Sequence, residues 1–578
     1  MSEKKKVITK EIVQEAMQTL LAYKKGKSAL DNRIIDEDDF WNRRQWEKKD
    51  AKDTPPASSW LFNSIVNKHA DAMDSFPELK CLPREESDEE SAKSISSIFP
   101  VILERNNFRR TYSQNWWYKL KHGTACYGVF WDSSLENGLG DVQVSKIDLL
   151  NIFWEPGITD IQKSKNLFII STYSTEELKE LYPKANFTGG DKQIAQDYNR
   201  DDALDNSDKT TVIDWYYKKR DKEGRTILHF CKFAENEVLF ASENEKGYEK
   251  GWYEHGKYPV VFDVLYPSEG TPTGFGIISV AKNAQLYIDR LDNAIMENAM
   301  KQSKPRYLSR LEGDINETEF LDWSKPIVHV AGSLDENHLR QININPINGY
   351  IMNFREFKVD ELKETSNSRD FSQGGTSGGV TSGAAIATLM EAGNKTSRDT
   401  INESYNCQQE IGELIIELMR QFYTEQRSFR ITGEDNKTKY TQFSNENIVE
   451  QSIGSANGEE QFRRPIFDII VRAQKNNPYS TLSNNETAMN LYNMGFFAPQ
   501  NADAALAALK IMDFDGKREV EDSIKNGQTM AMQLAQAQQE IARLQGVIAN
   551  AAAEQEGVMP GAVPAEASGI PAGAAAQM

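Results

Sequence analysis

Cysteine is scarce in this sequence, and its thiols have no recognisable pairing. The four cysteines are far apart, at Cys81, Cys126, Cys231 and Cys407, and none belongs to a CxxC pair. The six histidines include no HExxH motif and no pair at metal-ligand spacing. Disulfide frameworks and zinc sites need closely spaced ligands, whereas scattered thiols are typical of proteins that fold in a reducing compartment. We therefore expect free thiols, no metal site and no cofactor.

Long apolar runs and an excess of basic residues are also absent. No segment approaches the ~18 consecutive apolar residues of a membrane span, and the amino terminus has no signal-peptide pattern. With 86 acidic and 67 basic residues, the net charge is −19. A protein that grips DNA by neutralising its phosphates should be basic, so this charge disfavours tight DNA binding. We expect a soluble protein with no membrane partner.

The length and the apolar pattern predict a mainly helical α+β fold. With 578 residues and 39% hydrophobic content, the chain can form several domains with apolar cores. Residues 1–122 repeat their apolar positions at helical spacing, and this pattern predicts helices around residues 8–21, 60–76, 95–103 and 112–120. From residue 128 the period shifts toward two, and the predicted strands are 128–131, 142–147, 151–157, 167–172, 211–217, 226–233 and 237–241.

Two features of the helical part could imitate functional sites. The acidic runs at 36–39 and 85–90 resemble a carboxylate metal cluster, but no histidine is near, and we interpret both runs as solvated faces. The adjacent Trp116 and Trp117 could stack on bases, but their position in a helical pattern favours core packing.

The middle of the chain places a small αβ insert between two helices. The first helix is predicted over 278–302, and the second over 348–365. The first has an apolar stripe formed by Val280, Ala284, Tyr287, Ile288, Leu291, Ile295 and Ala299, and a polar face formed by Lys282, Gln285, Asp289, Asp292 and Asn293. Within the insert, residues 306–311, 317–323 and 326–330 predict a strand, a helix and a strand.

A glycine-rich loop and a very long helix come next. Residues 371–383, FSQGGTSGGVTSG, place five glycines within ten positions, so the backbone there can approach another molecule closely. The loop leads into a helix predicted over 384–423 and kinked at Gly393 and Asn394. The stripe of this helix is Ile401, Tyr405, Gln408, Ile411, Ile415, Leu418 and Phe422.

The loop could instead be a phosphate cradle or a disordered surface linker. Gly374 and Gly379 have the offset of a nucleotide-binding P-loop, but Val380 stands where the lysine is needed. Residues 361–370, before the loop, are charged and polar instead of forming an apolar strand. A nucleotide site is therefore disfavoured, whereas a surface linker remains compatible with the local pattern.

The remainder of the chain predicts short elements followed by one more long helix. A hairpin is predicted at 428–432 and 439–443, a strand at 467–473, and short helices at 485–494 and 501–510. The last helix, 517–550, has heptad positions Met530, Leu534, Ala537, Ile541, Leu544 and Ile548. Residues 551–578 are rich in Ala, Gly and Pro, and we expect them to be disordered.

The order of these parts resembles the portal proteins of tailed bacteriophages over most of the chain. The resemblance is carried by the helix SVAKNAQLYIDRLDNAIMENAMK, the insert that starts PRYLSR, the return helix, the loop GGTSGGVTSGAAI and the long kinked helix. The segment DLLNIFWEPGITDIQ is similar to the wing of that family. No one of these motifs is specific by itself, but five of them occur in the family's order.

This resemblance implies an architecture and a ring of twelve subunits. The implied parts are a wing (1–275), a stem helix (276–304), a clip (305–346), a second stem helix (347–370), a tunnel loop (371–383), a long kinked helix with returning wing strands (384–479), a crown (480–552) and a disordered tail (553–578). The residues implied to face DNA are Gly374, Gly375, Thr376, Ser377, Gly378, Gly379, Val380, Thr381, Ser382 and Gly383.

The resemblance also implies a location and partners. The protein would form the conduit for DNA packaging and ejection at one capsid vertex, after assembly in the host cytoplasm. Its partners would be other copies of itself, double-stranded DNA, the large terminase, the major capsid or scaffolding protein, and a neck or adaptor protein. No catalytic residue is implied.

Charge agrees with a channel through which DNA slides. A ring of twelve would carry a charge on the order of −230, which repels phosphates. A basic cluster formed by Lys301, Lys304, Arg306 and Arg310 lies at the start of the clip and could touch DNA or an acidic motor surface, or be a solvated cluster. Two alternatives stay open: another helical ring or scaffold, and a terminase-like enzyme, whose P-loop lysine or carboxylate metal site is missing.

Overall fold

The protein forms two compact units, Met1–Lys475 and Asn476–Met578. The computed structural model describes residues 7–46, 56–187, 198, 209–222, 224–304, 306–309, 316–322, 324, 326–329, 339–342, 344–366, 395–432, 438–456, 459–475, 489–495, 502–511 and 517–555. The described helices of the first unit are α1 (Lys10–Trp41), α2 (Trp60–Asp74), α3 (Glu89–Arg105), α4 (Phe108–His122), α5 (Thr175–Leu181), α6 (Ile277–Ser303), α7 (Glu317–Leu321), α8 (Gly349–Thr365) and α9 (Lys395–Phe422).

The strands of this unit form small antiparallel sheets. They are β1 (Ser75–Pro83), β2 (Thr124–Asp132), β3 (Asp141–Ile147), β4 (Ile152–Trp154), β5 (Asn166–Ser174), β6 (Lys209–Arg220), β7 (Thr226–Ala234), β8 (Glu237–Ala241), β9 (Val260–Val264), β10 (Tyr266–Pro267), β11 (Gly274–Phe275), β12 (Arg306–Ser309), β13 (Leu339–Ile342), β14 (Arg427–Thr432), β15 (Thr438–Phe443), β16 (Gln451–Ala456), β17 (Glu459–Arg463) and β18 (Phe467–Lys475). Helices and sheets therefore combine in the α+β class, as the sequence predicts.

A five-stranded sheet packs against the first helix. Its strand order is β4-β5-β6-β7-β8, and the consecutive order follows from hairpin connections. One face buries Phe168, Trp215 and Phe233 against Val13 and Leu20 of α1. Alternate residues of a strand point to opposite faces, and the buried α1 residues recur at helical spacing. The two periods together explain why this helix covers this sheet.

A three-stranded sheet of order β3-β2-β9 lies at the centre of the main core. Helices α4 and α9 both contact its middle strand, β2. Trp116 of α4 is 1% exposed, which confirms the predicted core packing, and Ile411 and Ile415 of α9 are fully buried. This core fixes α9, the long helix, on the sheet.

Several predictions about local structure were wrong, and each error has a physical reason. Strand β1 interrupts the part that was predicted as purely helical, because its partner β18 is almost 400 residues away in sequence. The partner of β12 is β13, whereas the described residues 326–329 form no strand. The hairpin of β16 and β17 was not predicted at all.

The acidic runs are not simply solvated faces either. Glu37 is only 1% exposed. Its burial is compensated by a hydrogen bond that Ser279 donates to it and by the His122 ring beside it. Asp88 is also buried and pairs with Arg463. Carboxylates are buried only where donors compensate for the lost water, and these donors come from elements distant in sequence.

The second unit contains α10 (Ala502–Ile511) and α11 (Lys517–Gln555). Ala505 and Leu509 of α10 bury Ile524 of α11. The helix α11 extends past the predicted end at 550, and residues 556–578, predicted to be disordered, lie outside the described part of the chain. None of the described helices of either unit has a segment long and hydrophobic enough to cross a bilayer.

Candidate functional site: the helical hairpin and the long helix

Helices α6 and α8 form a hairpin whose tip is closed by a two-stranded ribbon. The two helices contact each other, and β12 pairs antiparallel with β13 between them. Near the tip, Asn298 Nδ2 donates to the carbonyl of Asn345 at 3.2 Å. Midway along, Arg355 forms a two-pronged ion pair with Asp292, with Nη2 3.2 Å from Oδ2. The hydrogen bond to Asp292 raises the pKa of Arg355 and so keeps the guanidinium charged.

The base of the hairpin rests on the end of α4 through a close backbone approach. Gly123 ends α4 with a φ of +87°, a left-handed conformation that glycine adopts without strain. A Cβ built on Gly123 would lie 2.1 Å from the carbonyl carbon of Phe275, just before α6 begins. No other residue type fits this junction without displacing the backbone. The position of α6 therefore depends on glycine at this point.

A buried carboxylate anchors α6 to the amino-terminal part of the chain. Asp289 is fully buried and accepts hydrogen bonds from the Ser58 amide at 2.9 Å and from the Ser58 hydroxyl at 2.6 Å. The Trp46 indole and the Gln285 amide also donate to it, at 3.3 and 3.1 Å. With the Gln45 amide, which donates at 3.3 Å, five neutral donors replace the water that the carboxylate loses.

The predicted orientation of α6 was therefore partly wrong. Ile288 is buried, as predicted, but Gln285 and Asp289 of the predicted polar face are 1% and 0% exposed. Val280 and Tyr287 of the predicted apolar stripe are 43% and 52% exposed. The apolar periodicity of a helix contains no information about hydrogen-bond donors from distant segments. Here Ser58 and Trp46, which donate to Asp289, are more than 200 residues away in sequence.

The hairpin leaves a large apolar surface uncovered. Its exposed large apolar side chains are Val280, Tyr287, Met296, Met300, Tyr307, Leu308, Leu321, Ile327, Val328, Ile342, Tyr350, Met352, Phe354 and Phe357. On the helices, Lys358 Nζ lies 5.5 Å from the ring centroid of Phe354, 5.8 Å from that of Phe357 and 5.9 Å from that of Tyr287. We call these three rings and Lys358 the aromatic patch. Exposed rings grouped around one point in this way are typical of a site of association.

Three members of the predicted basic cluster lie where the hairpin helix meets its tip. Lys301 is 63% exposed and pairs with Glu297 at 3.2 Å. Lys304 follows the last residue of α6, and Arg306 begins β12; both are exposed. Arg310 lies outside the described residues. The described members are accessible, as contact with a charged partner or with solvent requires.

The tunnel-loop prediction lies outside the described residues. This applies to residues 371–383, to 384–394 and to the kink predicted at Gly393 and Asn394. The long helix is described from Lys395 to Phe422, and its predicted stripe is confirmed there. Ile401, Gln408 and Leu418 are buried along it, together with Ile411 and Ile415.

A buried ion pair under the long helix was not predicted. Lys119 Nζ lies 2.5 Å from Asp263 Oδ1, and the Ser404 hydroxyl donates to Asp263 Oδ2 at 2.7 Å. All three residues are at most 2% exposed. The one signal in the sequence was a single carboxylate inside the apolar strand VVFDV, at Asp263.

The carboxyl-terminal end of the long helix is held by a buried tyrosine instead of a lysine–aspartate pair. Tyr423, directly after the helix, donates from its hydroxyl to Asp141 Oδ1 at 2.5 Å. Burial, reinforced by the Asp141 charge, raises the pKa of Tyr423 and keeps the phenol protonated. The Arg427 guanidinium lies 4.2 Å from the Tyr423 ring centroid.

The described residues contain no metal-ligand cluster, and their thiols are buried. Across them, no group of three or more His, Cys, Asp or Glu side chains could hold a metal ion. All four cysteines are free and buried, and burial raises the pKa of the Cys81 and Cys231 thiols to about 12. A thiol with such a pKa is a poor nucleophile at neutral pH.

Comparison with known families gives one match that spans nearly the whole chain. A family model described as phage P22-like portal protein matches residues 32–263 and 275–567. The match includes the helical hairpin, its tip and the long helix. The comparison with curated proteins found no match.

Proposed function

The chain belongs to the family of phage P22-like portal proteins, whose members are structural and not enzymes, and from this premise we propose that it assembles into a closed ring of twelve or thirteen subunits. The ring would occupy one capsid vertex as the conduit for DNA packaging and ejection. Residues 276–304 and 347–370 would be its stem and 305–346 its clip, which would dock the terminase and later a neck protein.

The uncovered apolar surface of the hairpin carries this proposal. Tyr287, Phe354 and Phe357 are 52%, 37% and 62% exposed in a single chain, so association with another copy would remove apolar area from water. Contact between unlike surfaces of identical subunits generates a ring when the rotation closes. The ion pair of Arg355 with Asp292 supports a hairpin that is rigid enough for such a repeated contact.

The DNA path would be lined by weakly interacting groups. The proposed tunnel loop, 371–383, contains glycine, serine and threonine but neither lysine nor arginine. Hydroxyls can touch phosphates without tight ion pairing, and the net charge of −19 per chain repels DNA as a whole. Lys301, Lys304 and Arg306 at the hairpin tip would add a local contact for DNA or for an acidic surface of the motor.

Electron microscopy and native mass spectrometry of the purified protein test the ring directly. We expect closed rings with a central channel and masses of twelve or thirteen subunits at micromolar concentration. Only monomers, at both low and moderate salt, would contradict the proposal. Open filaments or rods would instead favour a helical scaffold without a channel.

Lysine substitutions in the loop test its contact with DNA. Replacing Thr376, Ser377 and Thr381 with lysine should leave rings intact and slow DNA packaging, most strongly at low salt, where each added phosphate contact is strongest. The matched control adds three lysines at the exposed residues Gln14, Gln18 and Asn32 of α1. Packaging by the loop variant at the rate of the control would show that the loop does not face DNA.

A further inference from the structure

The two halves of the long helix α9 differ in the polar side chains that they place toward the protein interior. The carboxyl-terminal half buries Ile411, Ile415 and Leu418 in the main apolar core. The amino-terminal half buries Ile401 and Cys407 in this core as well, but it adds polar residues at four-residue spacing, namely the half-buried Thr400 and the buried Ser404 and Gln408. Residues four apart lie on one face of a helix, so these three form a polar seam.

The seam meets the buried ion pair of Lys119 and Asp263. Lys119 belongs to α4 and Asp263 to β9, and the two carboxylate oxygens of Asp263 bind Lys119 and Ser404 separately. Lys119 Nζ also lies 3.4 Å from the Thr400 carbonyl and 4.6 Å from the Trp116 ring centroid. One ion pair thus connects a helix, a strand and the amino-terminal half of α9.

This arrangement is poorly explained by stability alone. Burying two charges carries a large desolvation penalty, and well-packed apolar side chains at the same positions often stabilise a fold as much or more. A buried polar group does, however, discriminate between alignments, because its partner must lie within hydrogen-bond distance. The Ser404 hydroxyl meets Asp263 at one axial and rotational setting of α9, because a hydrogen bond depends on both distance and direction.

We propose that Lys119 and Asp263 are positioning residues that fix the amino-terminal half of α9 on α4 and β9. The described start of α9, Lys395, follows the end of the proposed tunnel loop by twelve residues in sequence, so the pair would also influence the place from which that loop is presented. This last consequence rests on the proposed function, whereas the positioning itself does not.

Replacing the pair with apolar residues tests positioning separately from stability. In the purified variant Lys119→Met/Asp263→Leu, the amides of residues 397–407 should exchange with solvent at least about tenfold faster, and those of 411–422 should be unchanged. The melting temperature should stay within a few degrees of the parent, because the apolar pair packs well. Unchanged exchange over 397–407 would overturn the proposal, as would equal acceleration of both halves with a lowered melting temperature.

The matched control is a second buried lysine–aspartate pair. Lys27 and Asp31 lie within α1, 2.9 Å apart, with side chains 5% and 0% exposed. The variant Lys27→Met/Asp31→Leu should leave the exchange of 397–407 unchanged. An equal acceleration in this control would mean that any buried charge loss loosens α9, and the proposal would fail.

Single changes at Ser404 provide a milder test, which applies even if the double variant does not fold. Ser404→Ala removes the donor to Asp263 Oδ2 and should accelerate exchange over 397–407 by about threefold. Ser404→Thr keeps the hydroxyl and should restore slow exchange. If alanine and threonine behave alike, the hydroxyl does not position the helix.

The length of DNA retained in capsids separates this inference from the proposed function. If the Lys119→Met/Asp263→Leu variant shows faster amide exchange over 397–407 and its capsids retain shorter genomes, the positioning role and the DNA-facing loop are both supported. Faster exchange with normal DNA retention would uphold the positioning role and count against a DNA-facing loop. Normal exchange would reject the positioning role whatever happens to the DNA.

Discussion

The sheet-containing body, formed by the described residues of 7–275 and 395–475, buries its large apolar side chains, whereas the helical hairpin exposes many of them. In the body, large aromatic residues such as Trp116, Tyr127 and Phe153 are at most 1% exposed. On the hairpin, Tyr287, Phe357 and many similar side chains are more than half exposed, although the helices are just as regular. The body therefore contains its own core, whereas the hairpin lacks partner surface within one chain.

The difference shows how one chain can combine a stable subunit with an interface. Buried carboxylates such as Asp289 hold the hairpin on the body, so its exposed face keeps a defined orientation before any partner is present. Association then covers a surface that is already ordered, and less conformational entropy is lost than if the hairpin folded on binding.

The largest loss of stability should come from a cavity made in the core of the body. Trp116→Ala removes a side chain that packs against Tyr112 and Lys119, and we expect the free energy of unfolding to fall by about 3–5 kcal/mol. Circular dichroism during urea denaturation measures this. The control Trp60→Ala, at a position 37% exposed, should cost much less. A loss below about 1 kcal/mol for Trp116→Ala would contradict the assignment of the core to the body.

A smaller effect should distinguish two aspartates on the same hairpin helix. Asp289→Asn leaves donors unmatched at the buried base and should destabilise the protein by about 2 kcal/mol, because hydrogen bonds to a charged group are strong. Asp292→Asn weakens the ion pair to Arg355, where Asp292 is 22% exposed, and should cost about 0–1 kcal/mol. Thermal unfolding compares the two variants. Equal losses would show that the base of the hairpin is no better anchored than its middle.

The sequence predicted helices well where apolar residues repeat at helical spacing over a long segment. The bounds predicted for α6 and α8 lie within about one residue of those found, because each helix repeats its apolar residues over several turns. The stripe of α9 was also predicted, including the buried Gln408. Signals of this kind are contained within the segment itself.

The sequence did not predict features that depend on distant partners. The outward direction of Tyr287 follows from the anchoring of Asp289 by Ser58, 231 residues earlier. The contacts of Asp263 with Lys119 and Ser404 span 144 and 141 residues. No local pattern encodes which carboxylate receives enough donors to be buried. The family resemblance supplied the order of the parts, which periodicity alone could not provide.

Native mass spectrometry of a hairpin variant tests the central claim most directly. Tyr287→Ser/Phe357→Ser removes two rings of the aromatic patch, and the control Leu181→Ser changes a side chain of the body that is 61% exposed. We expect the hairpin variant to be mainly monomeric at micromolar concentration with a melting temperature close to that of the control, whereas the control forms rings. Rings of equal abundance in both variants would contradict the claim that the hairpin surface joins the subunits.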